Sequence, residues 1–225
     1  MEEVAQVADD VKNQHSQGGW SQNRYERSVD EETRDHLRRA ADALLREHER
    51  RPLQRVLVAA PDEVIGAVRD GLHPYLKERL AGRISVDVDL AKPDEVRAEV
   101  ERALEEVDRE RERELLERLE AGLNSPAGAA AAGLDDVLGA LNEQRVETLL
   151  YVDGFSAPGV VDPASAWLGV GEERSPITGE PVERRENVLD EALHAALRQA
   201  ASAVRVRFDR EALARREGIA AILRF

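Results

Sequence analysis

The sequence predicts an α/β protein of two layered domains, joined by a long helix and a Gly/Ala-rich link. Charged residues make up 35% of the chain and aromatic residues only 4%, which is typical of amphipathic helices and not of an aromatic-rich β-sandwich. Short apolar runs alternate with longer stretches in which apolar residues recur every three or four positions. Gly, Ala, Ser and Pro dominate residues 122–133. We therefore expect one domain over 1–121 and a second over 122–225.

The first domain is predicted to begin with a strand or two and a loop in residues 1–25. Ser28 is a suitable N-cap for the first helix, since Glu31 stands at the capping-box position, and Pro52 stops that helix after about Arg51. The later elements follow from apolar runs and alternation: a strand over 53–60, a helix over 62–80, a strand over 84–90 and a helix from Pro93 to about 121.

The last of these helices is charged in its middle. Residues 108–114 contain no apolar side chain, although apolar stripes precede and follow them. We therefore predict that two turns face water on all sides and that the helix connects two domains. One helix lying on a single domain with a solvated middle is the alternative. The Gly/Ala-rich stretch at 122–133 that follows has the composition of a mobile link.

The second domain is predicted as an α/β sandwich of about 100 residues. Its sequence indicates a helix over 134–142, a strand over 146–152, a loop-rich insertion over 153–185, a helix capped by Asn187, an edge strand over 204–208, a helical turn over 211–215 and a closing strand over 219–225.

Composition excludes several kinds of chemistry. The chain has no cysteine, so it has no disulfide, no Cys-ligated zinc and no thiol nucleophile, and we expect neither a cofactor nor a metal. A net charge of −14 argues against a general nucleic-acid coat but leaves room for a local basic site. No signal peptide or membrane-spanning stretch is evident, and we expect a soluble, cytoplasmic protein without a membrane partner.

One segment differs locally from this acidic background. Residues 12–25 contain Lys12, His15 and Arg24 and no acidic residue. Within them, residues 17–25 (QGGWSQNRY) combine two glycines, an indole, two glutamines and an arginine ahead of a helix. Glycine pairs let backbone N–H groups approach a ligand closely, and a helix N-terminus attracts anions. The residues alone fit either a nucleic-acid or anion contact or an ordinary hairpin tip with a stray tryptophan.

Three patches of this sequence resemble a known family. Gly18-Gly19 followed by Arg24-Tyr25-Glu26-Arg27 resembles the GGQ loop and succeeding helix in the middle domain of the archaeal and eukaryotic class-1 release factors and Pelota. Residues 146–150 (VETLL) and 217–225 (EGIAAILRF) resemble the start and end of that family's third domain. The bacterial release-factor-like branch, which often has Gly-Gly-Trp-Ser-Gln and includes a ribosome-hibernation factor, is the most similar.

This resemblance implies a translation factor that binds the ribosomal A site in hibernation or rescue. Its partners would be ribosomal RNA at the peptidyl-transferase centre, the acceptor end of tRNA and, through the third domain, a translational GTPase. The implied catalytic residues are Gly18, Gly19 and Gln22, and the implied RNA contacts are His15, Trp20, Ser21, Arg24, Tyr25 and Arg27.

The sequence also departs from the family pattern. Trp20 stands where release factors hold their catalytic glutamine, and Gln22 follows two positions later. A non-enzymatic A-site binder and a peptidyl-tRNA hydrolase that uses Gln22 therefore both fit, with a stand-alone RNA-binding or nuclease module as a third class.

Two further family features are absent from the sequence. Relatives often carry a Cys-based zinc knuckle in the third-domain insertion, whereas residues 162–181 have Ser165 and Ser175 and no cysteine. The resemblance therefore implies that any such knuckle is lost. The family's N-terminal domain is also not represented, and we expect the chain to be a fragment.

Overall fold

The computed structural model describes the backbone of residues 22–87 and 90–224, and the side chains within those ranges from residue 33 onward. The chain forms two compact units, residues 1–107 and 108–225, and the division falls within the long helix. Both units combine helices with a sheet, as the predicted fold class requires. The strands predicted in the first 21 residues lie outside the described part of the chain, and the domain boundary at 121/122 stays a prediction.

The first unit is built on a small parallel sheet. Its elements are α1 (Gln22–Arg50), β1 (Val56–Val58), α2 (Asp62–Gly71), α3 (Pro74–Lys77), β2 (Leu80–Arg83) and the first half of α4 (Pro93–Leu123). Strands β1 and β2 pair in parallel, with Val56 opposite Leu80. Val56, Leu72 and Leu76 are buried, and apolar residues of α1 pack against them.

Helix α1 begins earlier than the sequence indicated. It starts at Gln22, so Ser28 is an interior residue of the helix and not its N-cap. Residues 22–27 contain no glycine or proline, and Gln, Arg and Glu favour helix, so nothing prevents the extra turns. The end of α1 at Arg50, two residues before Pro52, agrees with the prediction.

The second strand also lies elsewhere than predicted. Strand β2 covers Leu80–Arg83, while residues 84–87 form no strand. The predicted helix over 62–80 is interrupted, because Pro74 begins the separate short helix α3 and holds His73 in an extended conformation. The chain then turns at Glu78 and Arg79 and enters β2 at Leu80, earlier than predicted. The strand predicted over 84–90 is therefore wrong for residues 84–87, which follow β2, and residues 88–89 lie outside the described part of the chain.

The second unit places a four-stranded sheet between two layers of helices. Its elements after α4 are β3 (Ala130–Ala132), α5 (Leu134–Asn142), β4 (Val146–Val152), β5 (Gly159–Val161), β6 (Leu168–Gly169), β7 (Glu183–Arg185), α6 (Leu189–Arg198), β8 (Ser202–Val206), α7 (Arg210–Ala214) and β9 (Ile219–Leu223). The strand order is β3-β9-β4-β8, with β9 antiparallel to β3 and β4, and β8 parallel to β4.

Alternation along the central strands creates two separate cores. In β4, Leu149 belongs to the core under α5 and α6, while Leu150 belongs to the core under α4 and α7. All five residues of β9 are buried, since this strand lies inside the sheet and helices cover both of its faces. The bounds of α5 and β4 match the sequence prediction, and β8 is an edge strand as predicted, beginning two residues earlier.

Three expectations about the middle of the chain are revised. Residues 130–132, predicted as part of a mobile link, form strand β3 and pair with β9, because alanine side chains are small enough to sit beneath α4. Within the charged stretch of α4, Glu112 is only 5% exposed, so this stretch does not face water on all sides. The insertion predicted as loop-rich contains a second sheet, in the order β6-β5-β7.

Candidate functional site

The predicted site residues fall into two groups. His15, Gly18, Gly19, Trp20 and Ser21 lie outside the described residues. Gln22, Arg24, Tyr25 and Arg27 lie on the first two turns of α1, where the backbone alone is described. Gln22 is therefore the first helical residue, three positions after Gly19, and not a loop residue as predicted.

The start of α1 has a favourable electrostatic setting for an anion. The first four N–H groups of a helix have no partner within the helix, and they concentrate positive potential at its N-terminus. No acidic residue stands in the first turn of α1 to neutralise this potential, whereas α2, α4, α5 and α6 each have two acidic residues there. The glycine pair thus leads into a helix start that carries Arg24 and no carboxylate.

The closing patch, residues 217–225, organises the second unit. Glu217 has a positive φ of 60°, and its carboxylate accepts a hydrogen bond of 2.9 Å from the N–H of Leu134 at the start of α5. Gly218 also has a positive φ, and a side chain there would meet the Val152 side chain at 2.9 Å. Strand β9 follows directly in the centre of the sheet. Residues 217–223 therefore help to build the fold of the second unit.

A buried carboxylate that the sequence did not reveal joins α4 to the turn after β8. The Glu112 side chain accepts hydrogen bonds from three consecutive backbone N–H groups, those of Arg207 at 2.7 Å, Phe208 at 2.8 Å and Asp209 at 2.7 Å. Three successive N–H groups that converge in this way form an anion-binding concavity. In this unit the concavity is filled from within the chain, so it is not available to a ligand.

The aromatic ring of Phe208 lies beside this contact in a groove of about 570 Å³. The guanidinium groups of Arg109 and Arg207 stand 4.7 Å and 5.0 Å from the ring centre, at cation–π distance. Glu117, Glu120 and Asp209 also line the groove. Because both signs of charge are present, the groove has no clear preference for an anionic ligand.

Comparison with known protein families shows the family to which the chain belongs. Residues 1–124 match the model of bacterial archaeo-eukaryotic release factor family 10, which is more than half of the sequence and includes the glycine pair, α1 and α4. The chain belongs to this family. The patches at 18–27, 146–150 and 217–225 had pointed to release factors and Pelota, and the family assignment confirms that recognition. A search among curated proteins gave no match.

Solved structures share the fold of this family 10 chain. A model of ribosome-bound archaeal Pelota and ABCE1 is 20% identical with a TM-score of 0.52, and the match covers 85% of this chain and 49% of that one. Dom34 of S. cerevisiae, described as a translation termination-like factor that interacts with Hbs1, is 15% identical with a TM-score of 0.55, covering 86% and 52%. The chain thus spans about half the length of these relatives.

The part of this family 10 chain that the structure describes contains no helix long and apolar enough to cross a membrane. Sequence reasoning did not predict the burial of Glu112. Glu112 stands in a run of charged residues. The only sign in the sequence that it is buried is its position one turn before Leu115 and Leu116, which are both buried.

Proposed function

We propose that this family 10 chain is a translation factor that binds the ribosomal A site in ribosome hibernation or rescue. In this proposal residues 17–25 reach the acceptor end of tRNA at the peptidyl-transferase centre, and Trp20 and Arg24 contact RNA. The observation that carries the proposal is the family match over residues 1–124, which includes Gly18-Gly19 and the helix after it.

The charge distribution supports the proposal. Residues 12–55 hold ten Lys and Arg against eight Asp and Glu, whereas the whole chain has a net charge of −14. The first turn of α1 has no acid, and RNA phosphates are attracted to such a helix start. We therefore assign ribosome binding to this end of the chain.

The partner surfaces divide between the two units. Ribosomal RNA and tRNA would contact the first unit, and a translational GTPase would contact the second. The GTPase is inferred by analogy with Dom34, which interacts with Hbs1.

Peptidyl-tRNA hydrolysis by Gln22 is the second candidate function. One observation favours it: α1 begins at Gln22, close in sequence to the glycine pair, and the first N–H groups of a helix have no partner within the helix. Such N–H groups, with a side-chain amide, are suited to holding water or a developing oxyanion.

Binding to purified ribosomes tests the proposal. Reversing Arg24 and Arg27 to glutamate should weaken ribosome binding by about tenfold or more and reduce its dependence on salt, because phosphate contacts release counterions. The double variant Arg97→Glu and Arg198→Glu is the matched control, since both arginines are exposed, lie outside residues 12–55 on helices α4 and α6, and change the net charge equally. Equal ribosome affinities of the two double variants would contradict the assignment of ribosome binding to residues 12–55.

A further inference from the structure

The insertion of the second unit contains two turns of the same construction. Their sequences are Asp-Pro-Ala-Ser-Ala over 162–166 and Ser-Pro-Ile-Thr-Gly over 175–179. In each turn the fifth residue has a positive φ, 58° at Ala166 and 75° at Gly179, and its N–H donates to the carbonyl of the first residue, at 2.7 Å and 2.9 Å.

The remaining hydrogen bonds also correspond between the turns. The first side chain of each turn accepts from the N–H two residues later: Asp162 from Ala164 at 2.9 Å, and Ser175 from Ile177 at 3.1 Å. The fourth side chain does the same: Ser165 from Trp167 at 3.3 Å, and Thr178 from Glu180 at 3.3 Å. We call this pair of turns the double knuckle.

The three hydroxyl side chains of the double knuckle bind its fourth side chain, the buried carboxylate of Asp162. Asp162 is 1% exposed, and its Oδ2 accepts hydrogen bonds from the hydroxyls of Ser165 at 2.6 Å and Thr178 at 2.8 Å. Ser175 is 3% exposed. The spacing of the four positions is two pairs three residues apart, which is the ligand spacing of structural zinc sites of the Cys-x-x-Cys type.

These residues do not fit a zinc ion. Structural zinc takes thiolate, imidazole or carboxylate ligands, and the double knuckle offers one carboxylate and three neutral hydroxyls. The carboxylate oxygens already accept hydrogen bonds from within the chain, which leaves few lone pairs for a metal. In residues 22–87 and 90–224, no three or more His, Cys, Asp or Glu are grouped to hold a metal.

We propose that the double knuckle holds its shape without a metal, because the Asp162 carboxylate and the hydroxyls of Ser165, Ser175 and Thr178 occupy the positions of four metal ligands and bind each other instead. Hydrogen bonds that a carboxylate accepts are stronger than hydrogen bonds between neutral groups, so they can hold the two turns together. The insertion of this chain is then independent of zinc supply and of thiol oxidation.

The first test uses the unmodified chain and one conservative variant. The purified chain should contain no stoichiometric metal by mass spectrometry, and EDTA should leave its melting temperature unchanged. Asp162→Asn should lower the melting temperature by about 5 °C or more, because its amide places a donor against either the Ala164 N–H or the hydroxyls. The control is Glu186→Gln, an exposed carboxylate directly after the same insertion. Bound zinc, or equal melting temperatures for the two variants, would overturn the proposal.

The second test restores the ligands that the spacing implies. The variant with cysteine at 162, 165, 175 and 178 should bind one Co²⁺ per chain, show the visible absorption of tetrahedral cobalt thiolate, and become sensitive to EDTA. The control variant with cysteine at 162 and 165 alone should bind Co²⁺ much more weakly. A four-cysteine variant that binds Co²⁺ no more tightly than the control, or that stays unfolded with Co²⁺, would contradict the proposal that these four side chains occupy ligand positions.

Discussion

The side-chain Oε1 of Glu112 on α4 accepts a hydrogen bond of 2.8 Å from the backbone N–H of Phe208, 96 residues further along the chain. The same carboxylate also binds the N–H groups of Arg207 and Asp209. One buried negative charge thus joins the helix that enters the second unit to the turn that leads into α7. The contact explains why a charged stretch of α4 has one buried member.

Removing this carboxylate should destabilise the second unit. Glu112→Ala leaves three backbone N–H groups without their acceptor, and we expect a loss of about 2 to 4 kcal/mol in the free energy of unfolding. Glu112→Gln keeps one acceptor oxygen and should lose less. Urea denaturation measures both variants. Glu114→Gln, an exposed position two residues away, is the control and should change stability by no more than about 0.5 kcal/mol. Equal stability of Glu112→Ala and the control would contradict the structural role.

Two helical glycines should respond oppositely to alanine. A side chain at Gly122 of α4 would stand 2.8 Å from the Ala130 Cβ and 3.0 Å from the Ala129 carbonyl oxygen, while a side chain at Gly139 of α5 would meet nothing within 4 Å. Gly122→Ala should therefore cost about 1 to 2 kcal/mol despite the better helix propensity, and Gly139→Ala should add about 0.5 to 1 kcal/mol. Chemical denaturation of both variants checks the contrast. A stabilising Gly122→Ala would show that β3 does not pack closely against α4.

The stability of the protein should depend on pH through the ionisation of the Asp162 carboxyl. Hydrogen bonds from the hydroxyls of Ser165, Ser175 and Thr178 hold the pKa of this carboxyl well below its usual range, although burial acts in the opposite direction. A carboxyl whose pKa is depressed in the folded state stabilises the protein above its unfolded pKa of about 3.9 and loses that contribution as the pH falls toward the folded pKa.

The difference in urea midpoint between the unmodified chain and Asp162→Asn should therefore be full at pH 6 and shrink below about pH 4. Glu186→Gln should show no such trend relative to the unmodified chain. A difference that grows as the pH falls would mean that the charged form of Asp162 is not the stabilising one.

Substitutions at Trp20 and Gln22 separate the two candidate functions. If the chain only occupies the A site, Trp20→Ala should weaken ribosome binding by about tenfold, as loss of one stacked base contact does, and Gln22→Ala should do little. If the chain hydrolyses peptidyl-tRNA, Gln22→Ala should lower the release rate by about 10² to 10³ and leave binding nearly intact.

Release of labelled peptide from ribosomal complexes and ribosome co-sedimentation measure the two effects, with Gln17→Ala as a control for losing a glutamine in the same segment. We expect the first pattern, because Trp20 stands at the position of the family's catalytic glutamine. Peptide release that depends on Gln22 would favour the hydrolase instead.

The sequence determined the elements whose signals are local. Helix α5 and strand β4 have the predicted bounds, because Gly133 ends the preceding segment and the apolar spacing changes from a helical period to a continuous buried run. The glycine pair and the patches at 146–150 and 217–225 were likewise sufficient to recognise the release-factor family, since each is a contiguous motif.

Tertiary structure decided what depends on distant partners. Strand β2 falls at 80–83 because that segment reaches β1, and β3 is a strand only because β9 lies beside it. The burial of Glu112 and Asp162 could not be read from a charged helix and a proline-bearing loop, because nothing local distinguishes their carboxylates from solvated ones. A carboxylate can be buried only where donors converge on it, and those donors come from residues that folding alone brings together.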